Sequence, residues 1–549
     1  MSQRQRLGSY LCLSELGDAM SEPEMNEGLE SMCRRDVLYF LANLVHHVDR
    51  RASDLDQQRA LAEQLLPRRL VSTALKKLRG DNRVAIFPPI VLNVALRALI
   101  HSRPEDDGPP RHLAESERRL LGRLILAEAD RLNDMQATAP ATDDSIEKAV
   151  LELTRSDLHS RQYWYLSVYE EAYQVMFRYL PELPPEKLLV DPFEVIRTRV
   201  GIAFDDLWAI GAFMSMLMYG QADCPLYPSG LQAGGLKDPS LLDVWFDWWS
   251  IELDDALAMA EGDLAIDTGW SFRSFFNRPL LRINPAVIFP MRTSYAVEKA
   301  GLNGTVWTVL ELLTGTRRME WLSTVGHAFE AFMLDVLASE INGVSEIMRE
   351  DDIVQRWGPG KACDALIVYD SRAWLAVEFV YRNPRLATKV YGDYEDLMTD
   401  LNKAAVEKFE QVDATMKRGL AAGARPKLLV PLVVVGGQFP LNPATHQALM
   451  RELAKASLSV AGSDPRSTRP ALMESHDFRV LLHAAARLRK PAFRLVQRWQ
   501  ESTAMNMPFS MWLHGKHPEV PVQRLDAWFD AAKGRVFRDG AEGRGDVLP

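Results

Sequence analysis

The sequence predicts a mixed fold: a large, mainly α-helical region, a compact α/β core, and then a second helical segment. Three observations carry that expectation. Residues 36–320 are dominated by apolar positions at helical spacing, interrupted by Pro- and Gly-rich breakers. Residues 362–381 hold two β-rich runs joined by the polar turn Asp370-Ser371-Arg372, the pattern of a hairpin. Residues 427–437 form an apolar, β-branched run ended by Gly436 and Gly437, as expected of a strand buried on both faces.

The chain has 549 residues, 47% hydrophobic and 25% charged, which is the composition of a globular protein with roughly two to four domains. Its net charge of −10 gives no global basic footprint, so a nucleic-acid partner would be met by a local patch. Cys12, Cys33, Cys224 and Cys363 are far apart, with neither metal-finger spacing nor a disulfide framework. Residues 1–8 lack the apolar core of a signal peptide, and the most apolar window, residues 207–219, is too short to span a bilayer. The expectation is a cytoplasmic protein without a membrane partner.

In chain order, residues 1–320 read as a helical N-terminal region of one or two subdomains, a surface on which protein partners could dock. Breakers fall at residues 102–110, 138–142 and 225–235, and a strand-like run occupies residues 286–290. His46, His47 and Asp49 suggest a metal cluster at first sight. Adjacent histidines diverge by about 100° on a helix, however, so ordinary surface and core roles are favoured. Trp245, Phe246, Trp248, Trp249 and Trp270 offer either a stacking platform or core packing, and helical spacing favours packing. The core is expected at residues 321–440, a helical extension at 441–535 and a flexible tail at 536–549. A polar linker spans residues 461–470. Beyond it, Arg479, Arg487, Arg489, Lys490, Arg494 and Arg498 form a candidate basic surface, with a solvated helix face as the alternative.

The hairpin carries the chemistry. Side chains alternate along a strand, so Asp364 shares a face with Leu366 and Val368, and Glu378 shares one with Trp374, Ala376 and Val380. Each carboxylate interrupts an apolar strand, where an unpaired charge is costly. Two acids on neighbouring strands are a ligand set for Mg²⁺, with water and phosphate completing its coordination. The alternative is a pair of strand-end acids facing solvent.

Helix, acid, hairpin, Glu, helix and buried strand together resemble the core of the PD-(D/E)xK nuclease superfamily, the restriction-endonuclease-like fold. The resemblance covers residues 322–437 and implies an αβββαβ core flanked by the helical regions. It implies metal ligation of Mg²⁺ (or Mn²⁺) by Asp364 and Glu378, and a helix acid, Glu330, acting through water. It also implies a glutamine, Gln411, on the following helix. The activity implied is hydrolysis of DNA, in a bacterial defence or mobile-element setting.

One position departs from the pattern. The family's lysine, two residues beyond the Glu, is here Val380, which can neither polarise water nor contact phosphate. Lys408 is the leading replacement, with Lys403 and Arg382 behind it, and its other reading is a snorkelling surface lysine. Two functions therefore stay open: a metal-dependent nuclease, or an inactive descendant kept for nucleic-acid binding or protein docking. A helical scaffold with an incidental sheet is a third.

Overall fold

The computed structural model describes residues 10–51, 55–80, 84–104, 109–137, 147, 150–155, 165–220, 226, 236–266, 270–370, 372–437, 439, 441–456, 458–502, 508–520 and 527–536. The breaker at 138–142, most of the one at 225–235, the centre of that at 102–110, residues 1–8, Cys224 and the tail beyond 536 lie outside the described residues.

Two apolar cores organise the N-terminal half. The first joins helices between residues 22 and 137 to a three-stranded sheet of β1 (Ser250–Glu252), β2 (Leu280–Asn284) and β3 (Val287–Pro290). β3 is the strand expected at residues 286–290. His46 and Asp49 stitch this unit to its neighbour. His46 Nδ1 lies 2.9 Å from Thr293 Oγ1, and Arg292 Nε donates to Asp49 Oδ1 at 2.9 Å. Their roles are those of buried structural polar groups. Trp245, Trp249 and Trp270 are buried, so the aromatic run packs and does not form an open platform.

The second core is larger. It begins in the helices of residues 165–249 and 293–312 and takes in helix Arg317–Glu340. It continues through one face of a five-stranded sheet and ends in helices Ser475–Leu488 and Ala492–Glu501. That sheet has the order β4 (Val344–Arg349), β5 (Ala365–Tyr369), β6 (Ala373–Tyr381), β7 (Leu428–Gly436), β8 (Ala471–Glu474). β4, β5 and β6 pair antiparallel, while β6–β7 and β7–β8 pair parallel across helical crossovers.

Helices cover both faces of the sheet. Val430, Leu432 and Val434 of β7 enter the core with helix Arg317–Glu340, whereas Leu429, Val433 and Val435 point to the other side. Helix Glu407–Ala421 packs on that other side, where Val412 and Met416 meet Leu366, Trp374 and Ala376. β7 is thus buried on both faces, as its continuous apolar run requires.

Three expectations change. The first hairpin strand starts at Ala365 rather than Ala362, leaving Asp364 just ahead of it. A strand and a short helix, β4 and Glu350–Trp357, intervene between helix Arg317–Glu340 and the hairpin. Residues 471–474, expected to be helical, add the edge strand β8. No single described helix is long and apolar enough to cross a membrane; the pair Pro192–Val200 and Phe204–Met218 meets that test together only with an 80° bend.

Candidate active site

Hairpin register brings the two acids together. Ala365 pairs with Val377, so one step outward Asp364 stands opposite Glu378 on the same face. Each carboxylate accepts from a main-chain N–H of the facing segment: the Asp364 N–H donates to Glu378 Oε2 at 3.2 Å, and the Phe379 N–H donates to Asp364 Oδ2 at 2.7 Å. Both are buried, Glu378 to 1% exposure.

Lys408 reaches this pair from helix Glu407–Ala421, with Nζ 2.8 Å from Glu378 Oε1. The snorkelling alternative therefore does not describe its position. The helix arrives there through a π-helical turn, Asn402–Val406, between Tyr394–Leu401 and Glu407–Ala421. A π turn accommodates one extra residue, which rotates everything beyond it relative to a continuous α-helix. Val380, two residues after Glu378, packs against the apolar cluster around Phe409 and Val435. Lys403 is exposed, and the Arg382 guanidinium lies 3.7 Å from Asp400. Neither supplies the cation.

Electrostatics bind the set together. Burial pushes the Asp364 carboxyl well above its ordinary range, and the charges of Glu378 and Glu330 push it further. Burial also raises Glu378, against the opposing pull of Lys408. Burial alone would lower Lys408, but Glu378, Asp364 and Glu330 outweigh it and its pKa rises. Glu330, half-buried on helix Arg317–Glu340, is thus within electrostatic reach of all three groups. Gln411 lies one turn beyond Lys408 on the same helix face, and its main-chain carbonyl accepts from Thr415 Oγ1 at 3.0 Å.

The same helix fixes the approach to Asp364. Thr415 Oγ1 accepts from the Cys363 N–H at 2.8 Å. Arg418 donates to the carbonyls of Gly358 and Lys361 at 2.7 and 2.5 Å. Neither residue was singled out from sequence. The available signal was the polar stripe Lys408, Gln411, Thr415, Arg418, spaced by three or four residues along one face.

The donor set fits a divalent cation in one respect. When ionised, Asp364, Glu378 and Glu330 carry three negative charges against the one of Lys408, a surplus that burial makes costly. Among the described residues no three His, Cys, Asp or Glu side chains are placed as a metal cage, so two carboxylates are the most this pair offers. Mg²⁺ is commonly held by one or two carboxylates, with water and phosphate beside them. In the C-terminal helices Arg487, Arg489, Arg494 and Arg498 are exposed, but Arg479 is buried against Phe332 and does not belong to the expected basic surface.

Comparison of the chain with protein-family models, with curated proteins and with solved structures gave no match.

Proposed function

We propose that the protein is a Mg²⁺-dependent (or Mn²⁺-dependent) nuclease that hydrolyses DNA phosphodiester bonds. The observation that carries the proposal is the contact of Lys408 with Glu378. The position vacated by the strand lysine is answered by a cation on the next helix, pointed at the same acid. The order helix, β4, β5, β6, helix, β7 supports the restriction-endonuclease-like reading, and DNA is the substrate class that this resemblance implies.

In this mechanism Asp364 and Glu378 would hold the metal, and Glu330 would orient a water beside them. A bound divalent cation would supply water activation and charge neutralisation at the phosphodiester. Lys408 opposes the rise that burial imposes on the Glu378 carboxyl and presents its ammonium to the phosphate or the attacking water. Gln411, one turn on, would contact the substrate backbone. Val380 contributes a dry wall beside the acids.

A second reading, a non-catalytic module for nucleic-acid binding or protein docking, is favoured by one observation. Both carboxylates already accept hydrogen bonds from the protein itself. The deciding experiment incubates the purified full chain with supercoiled and linear DNA plus Mg²⁺ or Mn²⁺, beside Asp364→Ala and Glu378→Ala. Metal-dependent cleavage lost in both variants is the expected result. Cleavage that survives both would overturn the assignment, and DNA binding without cleavage would establish the second reading.

A further inference from the structure

Far along the chain from the hairpin, helix Tyr165–Tyr173 runs into a π-helical turn, Gln174–Tyr179. Such turns are rare and concentrate at functional sites. Beside this one lies a cavity of about 490 Å³ lined by Tyr173, Phe177, Phe193, Trp208, Asp205 and Arg535. That volume falls within the range of small-molecule sites, roughly 300–1,000 Å³.

The lining has a definite chemistry. Tyr173 stacks on Trp208 with centroids 5.8 Å apart, and Phe177 meets Phe193 at an interplanar angle of 77°. The rings therefore stand in more than one plane around the space, and each aromatic face carries the negative end of its quadrupole. Asp205 and Asp206 both ion-pair with the single guanidinium of Arg535. Of these two carboxylates only Asp205 lines the cavity, where it is paired with Arg535. The attraction for a cation therefore comes from the ring faces, with the Asp205 carboxylate offsetting the Arg535 guanidinium beside them.

We propose that this cavity binds a methylated ammonium group, as carried by choline-like molecules or by a methylated lysine side chain. Methyl groups spread the charge, weaken its hydration and offer apolar surface to the rings, whereas an unmodified ammonium is compact and strongly hydrated. The residues involved are separate from Asp364, Glu378 and Lys408, so this proposal and the proposed hydrolysis stand or fall independently.

Calorimetric titration of the full chain at fixed ionic strength tests it. The probes are tetramethylammonium, choline and 3,3-dimethylbutanol, the neutral carbon counterpart of choline. Saturable binding of both cations is expected, with the neutral compound at least about tenfold weaker. Asp205→Asn and Phe193→Leu should each weaken cation binding by up to about tenfold, while Phe193→Tyr retains it. Equal affinity for the neutral compound would show a merely apolar cavity and overturn the proposal. So would the absence of saturation at millimolar concentrations, or cation binding indifferent to both substitutions. Because the selectivity is read on the unaltered chain, a variant that unfolds does not blunt the test. Two further arms, a trimethyl-lysine peptide and its unmodified form, identify the source: a tighter modified peptide points to a polypeptide, tighter choline to a free metabolite.

Discussion

Lys408 approaches Glu378 from a helix where the resemblance expects a strand residue, and substitution tests the role proposed for it. Lys408→Ala removes the cation beside Glu378, and cleavage should fall about 10²- to 10³-fold, the range of a lost transition-state donor. It also deprives Glu378 of the charge that holds its carboxyl down, so the acid limb of the pH–rate profile should move to higher pH. A purely structural lysine would not move that limb. Adding Val380→Lys to Lys408→Ala returns an ammonium to the strand and should recover at least about tenfold of the loss, measured as kcat/KM on plasmid DNA. The acids also predict how the metal-free protein responds to pH. Their folded pKa values are raised above the unfolded ones, so between those values the folded state binds more protons than the unfolded state. Stability then falls as pH rises from the ordinary carboxylate range near 4 through the neutral range, the sign opposite to a salt-bridged acid. Thermal melts of the metal-free chain should show this decline, and Asp364→Asn should flatten it.

Helix Glu407–Ala421 shows how packing limits what propensity can offer. Alanine is favoured over glycine in a helix interior by up to about 1 kcal/mol. A Cβ on Gly419, however, would stand 2.6 Å from a ring carbon of Trp374 and 2.7 Å from one of Trp357. Those rings stack with centroids 5.4 Å apart on the buried side of the hairpin. Overpacking of this kind costs about 1–3 kcal/mol, so Gly419→Ala should destabilise despite its better propensity, as chemical denaturation will measure. At this scale the sequence was informative where burial is one-sided or complete. The hairpin follows from alternation, and β7 from its unbroken apolar run. β4 escaped because Val344–Arg349 is a partly exposed strand at the sheet edge with polar residues on both faces, Glu346 between Val344 and Met348 and Ser345 beside Ile347. β8 escaped because four residues behind Pro470 are too few to show a period. The placement of Lys408 was legible only as a possibility. Its azimuth depends on the π turn at Asn402–Val406, whose extra residue rotates the face that regular α-helical spacing assigns to Lys408.

Across the whole molecule, one face of the central sheet shares its core with helices that begin more than a hundred residues before it and with helices that follow its last strand directly. Ala365, Ile367, Leu375, Val377 and Phe379 are covered from that side, so the expected core, residues 321–440, is half of a packed layer. Expressed alone, that fragment should expose the face normally covered by helices Ser475–Leu488 and Ala492–Glu501. Strong binding of a hydrophobic dye and loss of a cooperative melt are expected, whereas a fragment spanning 165–536 should melt as a unit. The sequence marked the helical flanks but not their shared core, since apolar periodicity shows that a helix has a buried face without naming its partner.

The tether from Thr415 and Arg418 to the loop at Gly358–Cys363 has a mechanical consequence. One rigid rod carries the ammonium and also grips the strap leading to the first acid. Displacing that rod would withdraw the ammonium and loosen the acid in a single event. Such an assembly is either complete or silent, with no half-assembled form in which the acids remain poised while the cation has gone.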